Sequence, residues 1–160
     1  MRPTVLLYVP GGGFQLESQM LLDQLEGVDL ALILPGDSVI SPWMEAFPIH
    51  RVVPLGTRAQ RSRWHTIRRF GRNLWQSLGV LRSVKPDYVV CIGSSICVPG
   101  FAVAKLMGVP RVYIESITRT DSLSATGLLV ERLGLASRFY VQWPEQVAGR
   151  SDRHYQGCVL

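Results

Sequence analysis

Between Pro86 and Glu145 the chain repeats one pattern three times. An apolar, β-rich run stops abruptly where polar residues begin. Pro86–Ile92 gives way to Gly93-Ser94-Ser95, Arg111–Ile114 to Glu115-Ser116, and Arg138–Val141 to Gln142-Trp143-Pro144-Glu145. Runs that are apolar throughout suit strands covered by helices on both faces, which a parallel sheet requires. In an open parallel sheet the carboxyl edge is where ligands bind. The three polar strand ends therefore predict one rim of a cleft.

The rest of the chain extends the pattern. Thr4–Val9, Val28–Leu34 and Ile49–Val53 read as further strands, and Tyr155–Leu160 as a last one. Between them lie predicted helices over Gln15–Leu25, Arg58–Val84, Val98–Met107 and Ser122–Leu135, with an irregular stretch over Ser38–Pro48. Strands alternating with helices through right-handed crossovers define the α/β class. The expected fold is a single Rossmann-like domain over 1–160, a mostly parallel sheet with helices on both faces. A length of 160 residues, 47% of them hydrophobic, suits one domain with a real core.

The glycine run Gly11-Gly12-Gly13 sits between the first strand and the first helix, a layout that aims backbone N–H groups and a helix N-terminus at an anion. Its spacing is not that of the dinucleotide fingerprint G-x-G-x-x-G. Either a tight βα turn or a ligand-facing loop fits the run.

Charge is concentrated rather than spread. The formal net charge is +5, yet Arg58, Arg61, Arg63, Arg68, Arg69, Arg72, Arg82 and Lys85 crowd between positions 58 and 85. Apolar positions Trp64, Ile67, Leu74, Trp75, Leu78 and Leu81 recur there at helical spacing. A crossover helix packing that stripe on the sheet accounts for the apolar residues. It does not account for so many arginines with no acidic residue from Thr57 to Pro86. A face of Arg61, Trp64, Arg68, Arg72 and Trp75 lying against anionic headgroups or a lipid diphosphate accounts for both. No run approaches the ~20 apolar residues of a spanning helix, so the expectation is a peripheral protein at the cytoplasmic face of a membrane. A nucleic-acid reading of the same helix would need a reader module or base-stacking platform, and the sequence offers none. Cys91, Cys97 and Cys158 are odd in number and lack metal spacing, which suits inert core thiols in a reducing compartment.

Two segments carry a resemblance. Glu115-Ser116, Arg119, Ser122-Leu123-Ser124 and Gly127, followed by Arg138-Phe139 and Val141 to Glu145, match the pattern E-S-F-x-R, S-L-S-x-x-G and D-R-F-x-V-Q-W-P-E. Asp87 to Gly93 and Cys97-Val98-Pro99 match the strand region before it. This pattern resembles the acceptor-side, membrane-associated subunit of split glycosyltransferases. One branch is the asparagine-linked-glycosylation protein 14 family, and the other is the PssD-type subunit of bacterial capsule and exopolysaccharide synthesis. Phe14 stands where the family's first glycine turn carries a histidine, so no imidazole role transfers. Ile117 and Ser137 replace the family's Phe and Asp, and the membrane helix of eukaryotic members is not seen.

The resemblance implies the acceptor-binding half of a GT-B enzyme, paired with a small donor-binding glycosyltransferase subunit. It implies inverting transfer from a UDP-sugar such as UDP-GlcNAc to a polyprenyl-diphosphate-linked sugar, with no cofactor and no metal. Such chemistry needs a base for the acceptor hydroxyl and positive surroundings for the departing diphosphate. Glu115, ending a buried strand at the ligand edge, is the candidate base; the alternative is a carboxylate capping the next segment. Gly11, Gly12, Gly13, Gly93, Ser94, Ser95, Ser116 and Arg119 are candidates for acceptor or phosphate contact. Gln142, Trp143, Pro144 and Glu145 form a candidate edge toward the partner, unless Trp143-Pro144 packs in the core. The competing function is a non-catalytic membrane scaffold for that partner.

Overall fold

A computed structural model describes residues 2–55, 63–147, 149 and 151–159. Seven strands form one sheet: β1 (Thr4–Tyr8), β2 (Asp29–Pro35), β3 (Ile49–Val52), β4 (Tyr88–Ile92), β5 (Arg111–Ile114), β6 (Arg138–Val141) and β7 (Arg153–Tyr155). Their spatial order is β3-β2-β1-β4-β5-β6-β7 and every pairing is parallel. The chain moves outward from β1 through β2 to β3, then crosses back to β4 beside β1. The topological switch point therefore lies between β1 and β4.

Alternation along the strands divides the core in two. Leu6, Tyr8, Ile33, Cys91, Tyr113 and Phe139 face one side, where α2 (Arg63–Val84), α3 (Cys97–Leu106) and α4 (Ala125–Arg132) lie. Val5, Leu7, Leu32, Leu34, Val90 and Ile92 face the other, toward α1 (Phe14–Asp23) and a 3-10 turn at Pro42–Ala46.

Three expected elements change. The last strand is Arg153–Tyr155, not Tyr155–Leu160. Arg153 is pinned by an ion pair to Glu131 at 2.6 Å, in register with Phe139 of β6. The segment after it leaves the sheet, and the Val159 amide donates to Gln142 Oε1 at 3.0 Å. Cys158 is consequently exposed, not a core thiol, whereas Cys91 and Cys97 are buried. Helix α4 is shorter than expected because Ser124 caps it, its Oγ accepting from the Gly127 amide at 2.9 Å. At its other end Gly134 turns left-handed (φ 55°) and the Leu135 amide returns to the Val130 carbonyl.

The third change concerns α2. Its inward face in the first half is polar: Asn73 and Ser77 are fully buried there, with Leu81 one turn on. Asn73 Nδ2 donates to the Val53 carbonyl at 2.7 Å, and the Val53 amide donates to Gln76 Oε1 at 2.8 Å. Ser77 Oγ donates to Asn73 Oδ1 and meets the Tyr8 hydroxyl at 3.3 Å. The stripe expected to pack on the sheet is accordingly split. Leu81 is buried and Leu78 packs against the core. Trp64, Ile67 and Trp75 stay 81%, 61% and 75% exposed.

Candidate active site at the switch point

The loops after β1, β2 and β4 converge at the switch point around a cleft of about 400 Å³. Gly11 and Phe14 come from the β1–α1 turn, Pro35 and Asp37 from the end of β2, Ser94 and Ser95 from the β4–α3 loop, and Arg69 from α2. The lining is chemically mixed: two hydroxyls, one carboxylate, one guanidinium and small-residue backbone. Such a lining can take a sugar ring, whose hydroxyls need both donors and acceptors.

Of the expected contact residues, Gly11, Ser94 and Ser95 line this cleft. Gly12 and Gly13 lead into α1, with open space where side chains would project. Gly12 takes φ +73°, a conformation that side chains disfavour. Gly93 sits behind the wall: a Cβ there would lie 2.5 Å from Phe14 Cε1. The ring occupying the family's histidine position is thus packed on a glycine that bears no side chain. Asp37 and Arg69 were not anticipated. Asp37 lay in a polar turn, and Arg69 was one arginine among many; only the strand order brings them together.

The other strand ends do not reach this cleft as an open rim. Glu115 is fully buried. Its Oε1 accepts from the Ser116 amide at 3.0 Å, and its Oε2 accepts from the Ser124 amide and Oγ, both at 3.0 Å. A Cβ on Gly127 would collide with Oε2, so the helix end is moulded around the carboxylate. Burial raises its pKa, opposed by those hydrogen bonds and by nearby Arg119. Both oxygens are committed to the entrance of α4. The capping alternative therefore describes this geometry, and the expected contact with an acceptor hydroxyl has no open face.

A second buried carboxylate, Glu17 of α1, closes the same region. It accepts from Ser116 Oγ at 2.8 Å, the Ile117 amide at 3.2 Å and Gln142 Nε2 at 2.9 Å. Ser116 and Gln142, expected at a ligand or partner surface, are instead spent on this internal cluster. Gln142 Nε2 also donates to the Glu115 carbonyl. Trp143 is half-buried with its indole N–H on the Ile117 carbonyl at 2.7 Å, while Pro144 and Glu145 are exposed. The Arg119 side chain is exposed and outside the cleft lining, its carbonyl held by Gln146 Nε2. Glu17 carried a sequence signal that went unread: with Ser18, Leu21, Leu22 and Leu25 it shares one face of α1.

On α2, Trp64, Arg68, Arg72 and Trp75 are all exposed; Arg61 lies outside the described residues. Among the described residues no helix is long and apolar enough to cross a membrane.

Comparison with known proteins places this geometry. The family profile "Oligosaccharide biosynthesis protein Alg14 like" matches residues 41–159. The chain belongs to the Alg14 family. It is 36% identical over 102 residues to the human UDP-N-acetylglucosamine transferase subunit ALG14, covering 60% of this chain and 46% of that protein. The subunit of the same name from Schizosaccharomyces pombe is 34% identical over 91 residues, covering 53% and 40%. The chain thus spans less than half the length of these relatives.

A Paracidovorax citrulli protein is 38% identical over 74 residues, covering 46% of this chain and 19% of its own length. It is named UDP-N-acetylglucosamine--N-acetylmuramyl-(pentapeptide) pyrophosphoryl-undecaprenol N-acetylglucosamine transferase. Among solved structures, Acinetobacter baumannii MurG superposes with a TM-score of 0.76 at 15% identity, over 98% of this chain and 45% of MurG. The UDP-GlcNAc 2-epimerase of Methanocaldococcus jannaschii gives 0.63 at 16% identity, over 97% and 45%. These likenesses show the fold, the Rossmann-like half of a GT-B architecture.

Proposed function

We propose that this chain is the acceptor-binding subunit of a two-component inverting glycosyltransferase. The enzyme transfers a sugar from UDP-N-acetylglucosamine, or a similar UDP-hexose, to a polyprenyl-diphosphate-linked sugar. The observation that carries this reading is the switch-point cleft, whose mixed polar lining lies beside an exposed tryptophan–arginine helix face. A lipid-linked sugar has the matching halves: a polyhydroxylated head and an apolar tail joined by anionic phosphate. The names of the human and S. pombe relatives support the donor class and the word subunit; the P. citrulli name supports a lipid-diphosphate acceptor.

In this proposal the acceptor sugar lies over Ser94, Ser95 and Gly11. Its hydroxyl oxygen attacks the anomeric carbon, the bond from that carbon to the UDP oxygen breaks, and Asp37 takes the hydroxyl proton. Asp37 replaces Glu115 in this role because it is the carboxylate that lines the cleft. The donor-binding subunit closes over the cleft from outside and holds the UDP-sugar. The protein works peripherally at the cytoplasmic face of a membrane, as one domain over 1–160, through Trp64, Trp75 and neighbouring arginines.

The committed state of Glu115 and the phenyl ring of Phe14 favour one second reading, a scaffold that only recruits and activates a catalytic partner. A transfer assay with the partner chain, a UDP-sugar panel and a lipid-diphosphate sugar separates the two. Asp37→Asn lowers kcat by about a hundredfold or more if Asp37 is the base. Unchanged turnover with pairing intact leaves only the scaffold. Transfer by this chain alone would refute the two-component reading.

A further inference from the structure

A second cavity adjoins the cleft. It has a volume of about 310 Å³ and is lined by Val53, Pro54, His65, Arg68, Arg69 and Arg72. The four basic residues stand at i, i+3, i+4 and i+7 along α2, the spacing that lines up side chains on one helix face. Three guanidiniums and an imidazole within two turns repel one another, and among the described residues no lining side chain is acidic. Helix formation alone would be served better by alternating charges. Counter-charge must come from outside the chain.

The floor is fixed. The Val53 amide and carbonyl are both held by α2 through Gln76 and Asn73, so the wall and floor keep their spacing. Arg69 and Pro54 line this cavity and the cleft alike, which makes the two spaces neighbours across one guanidinium. On the flank of the same helix Trp64, Ile67 and Trp75 project outward. Along α2, then, a basic pocket sits between a polar cleft and an apolar surface.

We propose that this pocket seats the phosphate groups of a lipid. Three fixed positive charges suit a dianionic diphosphate diester better than a phospholipid bearing one negative charge, and planar guanidiniums match phosphate oxygens two at a time. The lipid's apolar chain runs along Trp64 and Ile67, and its head reaches the cleft past Arg69. The diphosphate is thus held by α2, not by the glycine turn or Arg119. That it belongs to the sugar acceptor rests on the proposed function; that the pocket binds lipid phosphate does not.

The test is direct binding, without transfer. The full chain is titrated with farnesyl diphosphate, inorganic pyrophosphate and farnesol by calorimetry, and with vesicles of phosphatidylglycerol or phosphatidylcholine by flotation. Farnesyl diphosphate binds, pyrophosphate competes with it, and farnesol binds poorly. The double variant Arg68→Gln/Arg72→Gln weakens binding by roughly tenfold or more, while Arg82→Gln, on the same helix but outside the pocket, changes it less than twofold. The double variant keeps its thermal midpoint, since both side chains are exposed.

Phosphatidylglycerol vesicles lost in the double variant, with no farnesyl diphosphate binding, identify the anion as a membrane headgroup and retain the pocket. Equal effects of the double variant and Arg82→Gln on every ligand overturn it. Binding that survives while the transfer assay fails leaves the pocket standing and removes the glycosyltransferase reading.

Discussion

Ser124→Ala tests the arrangement around Glu115 most sharply. The hydroxyl does two things at once: Oγ accepts from the Gly127 amide at 2.9 Å and donates to Glu115 Oε2 at 3.0 Å. Losing the cap costs about 1 kcal/mol. Losing a donor to a buried carboxylate costs about 1.5–3 kcal/mol. The Ser124 amide still reaches Oε2, which keeps the sum at about 3 kcal/mol. For a chain of this size that corresponds to a fall of roughly 6–12 °C in the thermal midpoint.

The pH dependence gives a second handle. Burial raises the Glu115 pKa above the ordinary carboxylate value, so ionising it in the folded state costs stability. That cost grows as pH rises from the ordinary value through the raised one. The Ser124 hydroxyl favours the ionised form; its contribution is present when Glu115 is charged and shrinks as pH falls and the carboxyl protonates. Urea titrations should therefore show the largest deficit of Ser124→Ala at neutral pH and a smaller one in acid. A deficit of about 1 kcal/mol or less that does not vary with pH would mean Ser124 acts as a helix cap alone. The coupling to Glu115 would then be refuted.

Other consequences follow from single contacts. A Cβ at residue 100 would run into the buried phenol of Tyr8, so Gly100→Ala should lower stability by about 1–3 kcal/mol by chemical denaturation. Replacing Trp64 and Trp75 together by serine should leave stability within about 0.5 kcal/mol, yet reduce flotation with anionic vesicles several-fold. A soluble thiol reagent should modify one cysteine in the native protein, Cys158. Cys91 and Cys97 should react only on unfolding, since both are buried and burial pushes the Cys97 thiol up.

Strand positions were legible from the residues because buried parallel strands are apolar throughout and stop hard at polar turns. The position of the cleft was only half legible. Ser94, Ser95 and Gly11 were read correctly as ligand-edge residues, but the ends of β5 and β6 look equally polar in sequence. What separates them is Glu17, about a hundred residues away, which fills the space at those two strand ends. No local pattern encodes that approach. Similarly, periodicity located a stripe on α2 without saying which way it faces. Asn73 and Ser77 point inward because the Val53 backbone and the Tyr8 hydroxyl need partners there, and that need appears only once β3 and β1 are in place. Glu115 shows the same limit, since a carboxylate ending a strand looks alike whether it faces a substrate or the next helix.

The seam under α2 also bears on assembly. Strand β3 is one border of the sheet, and the Val52 carbonyl accepts from Gly36 on the β2 side. By strand alternation the Val53 amide and carbonyl point away from β2, where another chain could add. Both are occupied by Gln76 and Asn73. With Arg51 two residues before and β3 only four residues long, this border is a poor template for strand addition. Polymerisation through this margin is discouraged, so subunits must meet through side-chain surfaces rather than by extending the sheet.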